Sequence, residues 1–469
     1  MNESQSKERA GVSIVALMAA LLVAIFAFQL NASMLSPALA TMQRELATTP
    51  ERIALSQTTF FTVAALFSLF LPRLADLVGR KKVLTGMLLA TAVGCVLSAM
   101  APNLGVLMVG RVFQGASGPV VPLCLIMLKE RVPNKNEYVR LMAILTSVNG
   151  GIGGVDALLG GWLASTGGFR AVFGVMALVC VIAVVMVAMF AEESRSSKTQ
   201  KMDWVGVVFL VIAVGSALLG FDEAGKLTAA NWILVAAYVV IATISFMVFW
   251  RTEKRVAHPM VSTTYLKQRR TWALLATTTL TMTGVFAIMN GIVPALAQDG
   301  VNGAGLGAEV VSFSTLTPYA LAGLVFGPIA GVLASRFGCR AVLRVGLVLT
   351  IVGLLFGMYV AGAPSIGALL VMSIAVGITY AGTVNIMLNG LGIMLSPKDN
   401  AGYLPGLNAG AFNLGAGISF VVLYAAMNAF AQSGGAVAGY RGSFTVGVIL
   451  LVLAFLVSLL IPNPDKLID

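Results

Sequence analysis

Fourteen predominantly apolar runs, most of them 18 residues or longer, follow one another along the chain, near residues 12–33, 54–72, 82–100, 104–128, 138–164, 169–191, 203–221, 231–250, 271–297, 308–334, 340–361, 364–392, 402–430 and 442–462. A run of that length crosses a hydrocarbon core about 30 Å thick as a helix, which satisfies its own backbone hydrogen bonds. Only 10% of the residues are charged and 58% are hydrophobic, whereas a soluble domain carries about 25% charge. Such a chain cannot clothe itself in polar surface. The expected fold is therefore an all-α polytopic membrane protein. The first run ends in "SPALA", which mimics a signal-peptide cleavage site, but it is too long for a signal and many spans follow it.

Basic residues gather in alternate loops: "SKER", "GRKK", "KERVPNKNEYVR", "ESRSSKTQK", "RTEKRVAH", "KQRR", "SRFGCR", "SPK" and "PDK". The opposite loops hold only Arg44, Arg52, Arg170, Lys226 and Arg441. By the positive-inside rule this places both termini in the cytoplasm, with the protein in the cytoplasmic membrane. The net charge of +11 is thus a topology signal. It is scattered over short loops without interleaved aromatics, so no nucleic-acid partner is expected. Cys95, Cys124, Cys180 and Cys339 have no metal or disulfide spacing, and His258 lies on a linker. No lysine-bearing phosphate loop is present, which argues against an ATP-driven pump. Neither an enzymatic reaction nor a cofactor is expected.

"PRLADLVGRKKVL" (72–84) and "GVLASRFGCRAVL" (331–343) share Leu, Ala, Gly, Val and Leu at an offset of 259 residues. Each follows an apolar span on a basic loop, so the repeat divides the chain into two six-helix halves, 1–198 and 268–469. Two further central helices lie between them, within 199–267. Parallel halves with a substrate site between them near the membrane midplane are a common transporter architecture.

These motifs resemble those of the major facilitator superfamily, and specifically its fourteen-helix branch of drug/proton antiporters. "RLADLVGRKKVL" is similar to that family's loop pattern GxLADRxGRKxxL, and "RVFQGASG" to its RxxQGxG. "DWVG", "GFDEAG" and "EKRVAHPMV" resemble the branch's linker region, and "GGWLASTGGFRAVF" the end of its fifth helix. The resemblance implies a proton-coupled secondary transporter working by alternating access. Two positions depart from the pattern. The first-helix carboxylate of the branch is Asn31 here, and its fifth-helix Gly-Pro is replaced by Asp156 and Ala157.

Asp156 is the sharpest of these departures. A charged aspartate at mid-membrane costs about 2.5–3.5 kcal/mol even on a lenient scale, so it should face protein and carry a role or a partner. It shares a small-residue stripe with Asn149, Gly153 and Gly160, which suits close helix packing. Arg111 is the one basic residue well inside a span, at matching depth. If the two touch, the arginine holds the aspartate ionised; if a cavity separates them, desolvation makes it a proton carrier, and a transporter can alternate between these arrangements, with a static ion pair fixing two helices as the simpler reading. Asp76, Gly79, Arg80 and Lys81, with Arg336 and Arg340 of the second copy, suggest a latch that closes the cytoplasmic side. Gln29, Asn31, Gln114, Asn149, Asn290, Tyr380, Asn385, Asn389, Asn408 and Asn413 are the candidate cavity residues, with interhelical hydrogen bonding as their simpler role. Tyr319 and Tyr424 are further polar groups of the second half.

The resemblance implies proton-driven efflux of drugs or amphipathic compounds as the leading function. A neutral polar lining instead suits proton symport of a polar metabolite inward, such as a nucleoside or a sugar-like solute. A lipid flippase on the same scaffold is the third reading. Small solute, protons and bilayer are the expected partners, and the working unit is a monomer.

Overall fold

The computed structural model describes residues 13–132, 134–194, 203–225, 230–256, 263–396 and 403–463, without the side chains of 135, 136, 139, 140, 143, 146–153, 218, 222, 225 and 263. His258 and the side chain of Asn149 therefore lie outside the described residues. The helices are α1 (Ile14–Ser33), α2 (Leu39–Glu45), α3 (Pro50–Val78), α4 (Arg80–Ala99), α5 (Leu104–Gly115), α6 (Val120–Arg131) and α7 (Lys135–Phe190). They continue as α8 (Trp204–Gly225), α9 (Trp232–Arg255), α10 (Thr263–Leu266), α11 (Arg269–Ala287) and α12 (Val293–Gln298). The last six are α13 (Ala308–Val311), α14 (Thr317–Phe337), α15 (Cys339–Val360), α16 (Ile366–Val376), α17 (Asn385–Met394) and α18 (Tyr403–Ser458). The all-α membrane fold expected from the apolar runs is what the chain adopts.

Twelve helical stretches among the described residues are long and apolar enough to cross a membrane. Two of the helices, α7 and α18, run for 56 residues each and fold back on themselves. Their turning points are Gly168 (φ 71°, ψ −176°) and Gly435 (φ 80°, ψ 179°), a backbone region that L side chains avoid. In α18 the Ser443 hydroxyl donates to the Leu423 carbonyl at 2.9 Å. Twenty residues of straight helix would separate them by about 30 Å. In α7, Asp156 and Cys180 both reach α1, at Ser33 and Asn31. Counted leg by leg, these fold-backs turn twelve stretches into fourteen.

The repeat extends beyond the motif that reveals it in the sequence. Gly79 (φ 128°) and Gly338 (φ 84°) are each the single-residue joint between consecutive helices, 259 positions apart. After the two reversing glycines, Arg170 donates to the Ala101 carbonyl and Arg441 to the Met358 carbonyl. Both arginines thus bind the far end of the helix that follows a glycine joint.

The halves differ in their helix interiors. Ile288–Ile292, Ser312–Leu316 and Gly377–Val384 are π-helical and join α11 to α12, α13 to α14 and α16 to α17. All three lie in the second half, and such bulges are frequent where a helix carries function. The first half breaks elsewhere: α1 ends at Ser33, and Ser36–Ala38 forms a 3₁₀ turn with Pro37 before α2.

Two seams join the halves, α3 against α18 and α7 against α14. At the first, the Thr58 hydroxyl donates to the Gly417 carbonyl at 3.1 Å, and beside it Phe61 meets Phe286 of α11 edge to face at 4.9 Å. At the second, the Thr317 hydroxyl donates to the Gly154 carbonyl at 2.8 Å. Helices α8 and α9 pair beside the bundle, with Trp232, Ile233, Val240, Ile244 and Met247 turned outward, as lipid requires. Their buried Asp203 and Glu253 lie in the electrostatic neighbourhood of Arg73 on α3, and Glu253 also faces Tyr403 at the start of α18.

Gly160 is where α7 presses on the break in α1: a Cβ there would fall on the Met34 carbonyl oxygen. Gly160→Ala is expected to cost about 1–3 kcal/mol of strain, by analogy with overpacked cores. A melting temperature in detergent within about 1 °C of the parent, where a strain of that size predicts a larger drop, would show that α1 moves aside freely.

Candidate substrate site

The basic loops gather at one end of the helices, and a vestibule of about 420 Å³ opens at the other. Both halves build it. Ser36, Leu39, Gln43, Arg44 and Ile53 come from the first half, and Gly291, Ala295, Gln298, Asp299, Tyr424 and Tyr440 from the second. The α1 break places Ser36 on its wall, because a straight helix would carry that position onward along the bundle. The π segment likewise brings Gly291 to the wall, and the rings of Phe420 and Tyr424 crowd that glycine. Asp299 sits in the loop at the rim. Burial opposes its ionisation, yet the Asn302 and Val301 amides and the Tyr440 hydroxyl together hold its carboxyl below the usual range.

Below the vestibule, ring contacts run from Tyr424 through Phe420, Phe286 and Phe61 to Phe60. They pass from the second half to the first at Phe61–Phe286 and end at Arg111, whose guanidinium lies 4.3 Å over the Phe60 ring. The vestibule is thereby floored, and this arrangement is open away from the basic loops.

Arg111 is fully buried and bonded to neutral acceptors: the Ser56 carbonyl at 3.1 Å, Gln57 Oε1 at 2.9 Å, Gln114 Oε1 at 2.5 Å and the Asn31 carbonyl at 3.5 Å. Asp156, equally buried, accepts from the Ser33 hydroxyl through Oδ2, and among the described residues its Oδ1 has no hydrogen-bond partner. The two charges do not pair. They reach α1 at Asn31 and Ser33, so a segment of that helix stands between them.

Among the described residues, none of those expected to line the cavity borders the vestibule, and the Asn149 side chain lies outside them. Asn31 lies between Cys95 and Cys180, and Gln114 binds Arg111 and Ser98. Gln29 binds Ser33, Tyr380 reaches Met282, and Asn408 binds Thr278 and the Leu388 carbonyl. Asn385 and Asn389 bond each other on a partly exposed face, and Asn413 is buried on α18. Asn290 comes nearest, 3.4 Å from the hydroxyl of Ser36. Asn31, Gln114 and Asn408 tie helices within one half, the simpler role the sequence allowed, while Gln29, Asn385 and Asn389 bond within their own helices. Ser36, Leu39, Gln43, Arg44, Ile53, Gln298 and Asp299 were missed because 34–53 and 298–307 read as loops.

The latch also differs from its expected form. Arg80 bonds Asp76 at 2.7 Å and Glu130 in its own half, and Glu193 accepts from the Lys81 amide beside Gly79. Arg336 is exposed, and Arg340 donates to the Ile461 carbonyl at 3.0 Å. Among the described residues none of these six bonds across to the other half. Glu130 and Glu193 stand closer to the motif than any charge of the second half, and they take up its donors.

Two helical halves around a shared vestibule, with buried charges beside it, define a membrane transporter. The chain belongs to the Major Facilitator Superfamily, whose sequence pattern matches residues 21–420 and again 274–468. It is 60% identical over 456 residues to the uridine/deoxyuridine transporter of Lactococcus lactis subsp. cremoris (strain MG1363), covering 96% of this chain and 95% of that protein. The multidrug resistance protein Stp of Mycobacterium tuberculosis (strain CDC 1551 / Oshkosh) is 25% identical over 405 residues, covering 85% of this chain and 73% of Stp. Among solved structures, a point mutant of the nucleoside transporter NupG superposes with a TM-score of 0.64 at 13% identity, over 94% of this chain and 99% of that one. A POT family transporter in complex with 5-aminolevulinic acid gives 0.70 at 12%, over 95% and 96%. Both share the fold.

These relatives correct the leading expectation. Drug efflux by proton antiport followed from loop motifs that the superfamily shares widely. The relative matched at 60% identity over nearly the whole chain is a uridine/deoxyuridine transporter, not a drug exporter, and the altered positions at Asn31 and Asp156 already weakened the antiporter inference. Membership of the superfamily stands; the comparisons do not extend to its fourteen-helix drug/proton antiporter branch.

Proposed function

We propose that the protein imports pyrimidine nucleosides of the uridine type across the cytoplasmic membrane, by alternating access and together with protons. The observation that carries this reading is the 60% identity, over almost the full length, to a uridine/deoxyuridine transporter. The vestibule is in keeping with it. Hydroxyls and amides from Ser36, Gln43, Gln298, Tyr424 and Tyr440 suit a neutral solute rich in hydrogen-bonding groups. With the basic loops in the cytoplasm, the vestibule opens outside, where an imported solute must enter. Both halves of one chain complete it, so a monomer suffices.

Asp156 is the proton carrier in this scheme, and Arg111 the fixed charge that anchors α1. The hydroxyl of Ser33 has one hydrogen and two acceptors, Asp156 Oδ2 and the Gln29 carbonyl at 3.0 Å. With Asp156 ionised, Ser33 donates to it. Once Asp156 is protonated it can donate to Ser33, whose own hydrogen turns to Gln29. Ser33 is the last residue of α1 before the break, so this exchange acts on the segment that forms the vestibule wall.

The test is radiolabelled uridine uptake into proteoliposomes under both directions of pH gradient. Accumulation when the outside is acid is the expected result. Extrusion under that gradient, or indifference to it, would overturn proton symport.

A further inference from the structure

Asn290 and Gln298, on the same run of helix in the second half, each have the amide nitrogen committed to a carbonyl. Asn290 Nδ2 donates to the Phe286 carbonyl at 3.0 Å, one turn back. Gln298 Nε2 donates to the Pro294 and Pro37 carbonyls, both at 3.3 Å. A carbonyl oxygen can only accept, so these bonds fix which way each amide points. The amide oxygen is then the group each side chain has to offer.

At Asn290 that oxygen points across the boundary between the halves and, among the described residues, takes only a long bond, 3.4 Å, from the Ser36 hydroxyl. Ser36 lines the vestibule, as does Gly291 beside Asn290. The π segment that holds Asn290 begins two residues after Phe286, whose ring is in contact with Phe61, Phe412 and Phe420. A cluster of aromatic rings packed edge to face thus adjoins a fixed hydrogen-bond acceptor, behind one hydroxyl that a ligand can displace.

We infer that Asn290 reads the base: the nucleobase stacks on the Phe286 cluster, displaces the Ser36 hydroxyl, and donates its ring N3–H to Asn290 Oδ1. Gln298 Oε1, farther up the vestibule, receives a ribose hydroxyl. This deepens the nucleoside reading and rests on it. Uracil carries a hydrogen at N3, whereas cytosine has a lone pair there and would meet oxygen with nitrogen, lone pair against lone pair. An unlocked amide could turn to suit either base. A locked one discriminates, because a buried polar group left without its partner is costly.

The experiment measures competition against radiolabelled uridine in proteoliposomes, with uridine, cytidine and 3-methyluridine as competitors. In 3-methyluridine a methyl group replaces the N3 hydrogen. The parent protein is expected to favour uridine over both analogues by about tenfold or more. In Asn290→Leu the KM for uridine rises, and uridine and 3-methyluridine compete within about twofold of each other. A merely structural asparagine would lower transport without changing that ratio. Equal competition by 3-methyluridine in the parent overturns the assignment with no variant needed. So does an Asn290→Leu protein that keeps the parental ratio. Should Asn290→Leu fail to fold, Asn290→Ser replaces it, with the same two outcomes. A parent protein that transports no uridine at all would instead sink the nucleoside reading beneath it.

Discussion

Asp156→Asn is expected to abolish accumulation of nucleoside against its gradient while leaving exchange of labelled for unlabelled nucleoside intact. Asparagine is nearly isosteric with aspartate, and its Oδ1 can accept the Ser33 hydroxyl that Asp156 accepts now. The contact between α7 and α1 therefore survives, and with it the rocking of the loaded carrier. What disappears is the exchangeable proton. A tenfold ratio corresponds to about 1.4 kcal/mol, so one proton moving down a one-unit pH gradient supports about tenfold accumulation. Without it the internal concentration stops at the external one. Uptake with the outside acid, compared with counterflow in the same vesicles, reads the two activities separately. An Asn variant that still concentrates uridine would move the coupling site elsewhere. Loss of both activities would make Asp156 a structural or substrate-binding group instead.

Much of the fold was legible in the sequence because lipid allows so few solutions. Apolar runs of sufficient length must be helices, and the repeat at 72–84 and 331–343 fixed two of the joints, at Gly79 and Gly338. Asp156 stood out because a carboxylate among apolar residues is costly, and the structure buries it against α1. The vestibule was much less legible. Its wall depends on where α1 breaks and where π turns replace α turns, and these are tertiary outcomes. Pro37 marks the first, but "AIMNGIVP" reads as an ordinary helix around the second. The glycine pairs 167–168 and 434–435 were a missed signal: each precedes an aromatic-arginine pair, at 169–170 and 440–441, and together they carry the repeat to the other end of the bundle. Amides such as Asn408 and Gln114 could not be sorted into cavity and packing roles, because composition is the same for both.

Arg111→Lys is expected to be nearly as damaging as Arg111→Ala, although it keeps the charge. Arg111 has no carboxylate partner among the described residues, so the position cannot be explained by charge neutralisation. Its fork meets acceptors from three helices at once: Asn31 on α1, Ser56 and Gln57 on α3, and Gln114 on its own helix, α5. Its flat face rests on Phe60. A lysine ammonium offers three donors around one point and has no plane to stack, so it cannot serve Gln57, Gln114 and the Ser56 carbonyl together. Two lost charge-assisted hydrogen bonds at about 1.5–3 kcal/mol each amount to about 3–6 kcal/mol, a large share of a typical folding free energy of about 5–15 kcal/mol. Both variants should therefore give little monodisperse protein in detergent, and what is recovered should melt well below the parent. The two ideas about Arg111 diverge at lysine. If the positive charge is what matters, Arg111→Lys melts and transports like the parent while Arg111→Ala fails. If α1, α3 and α5 are held together by the fork, as the hydrogen bonds indicate, lysine fails with alanine.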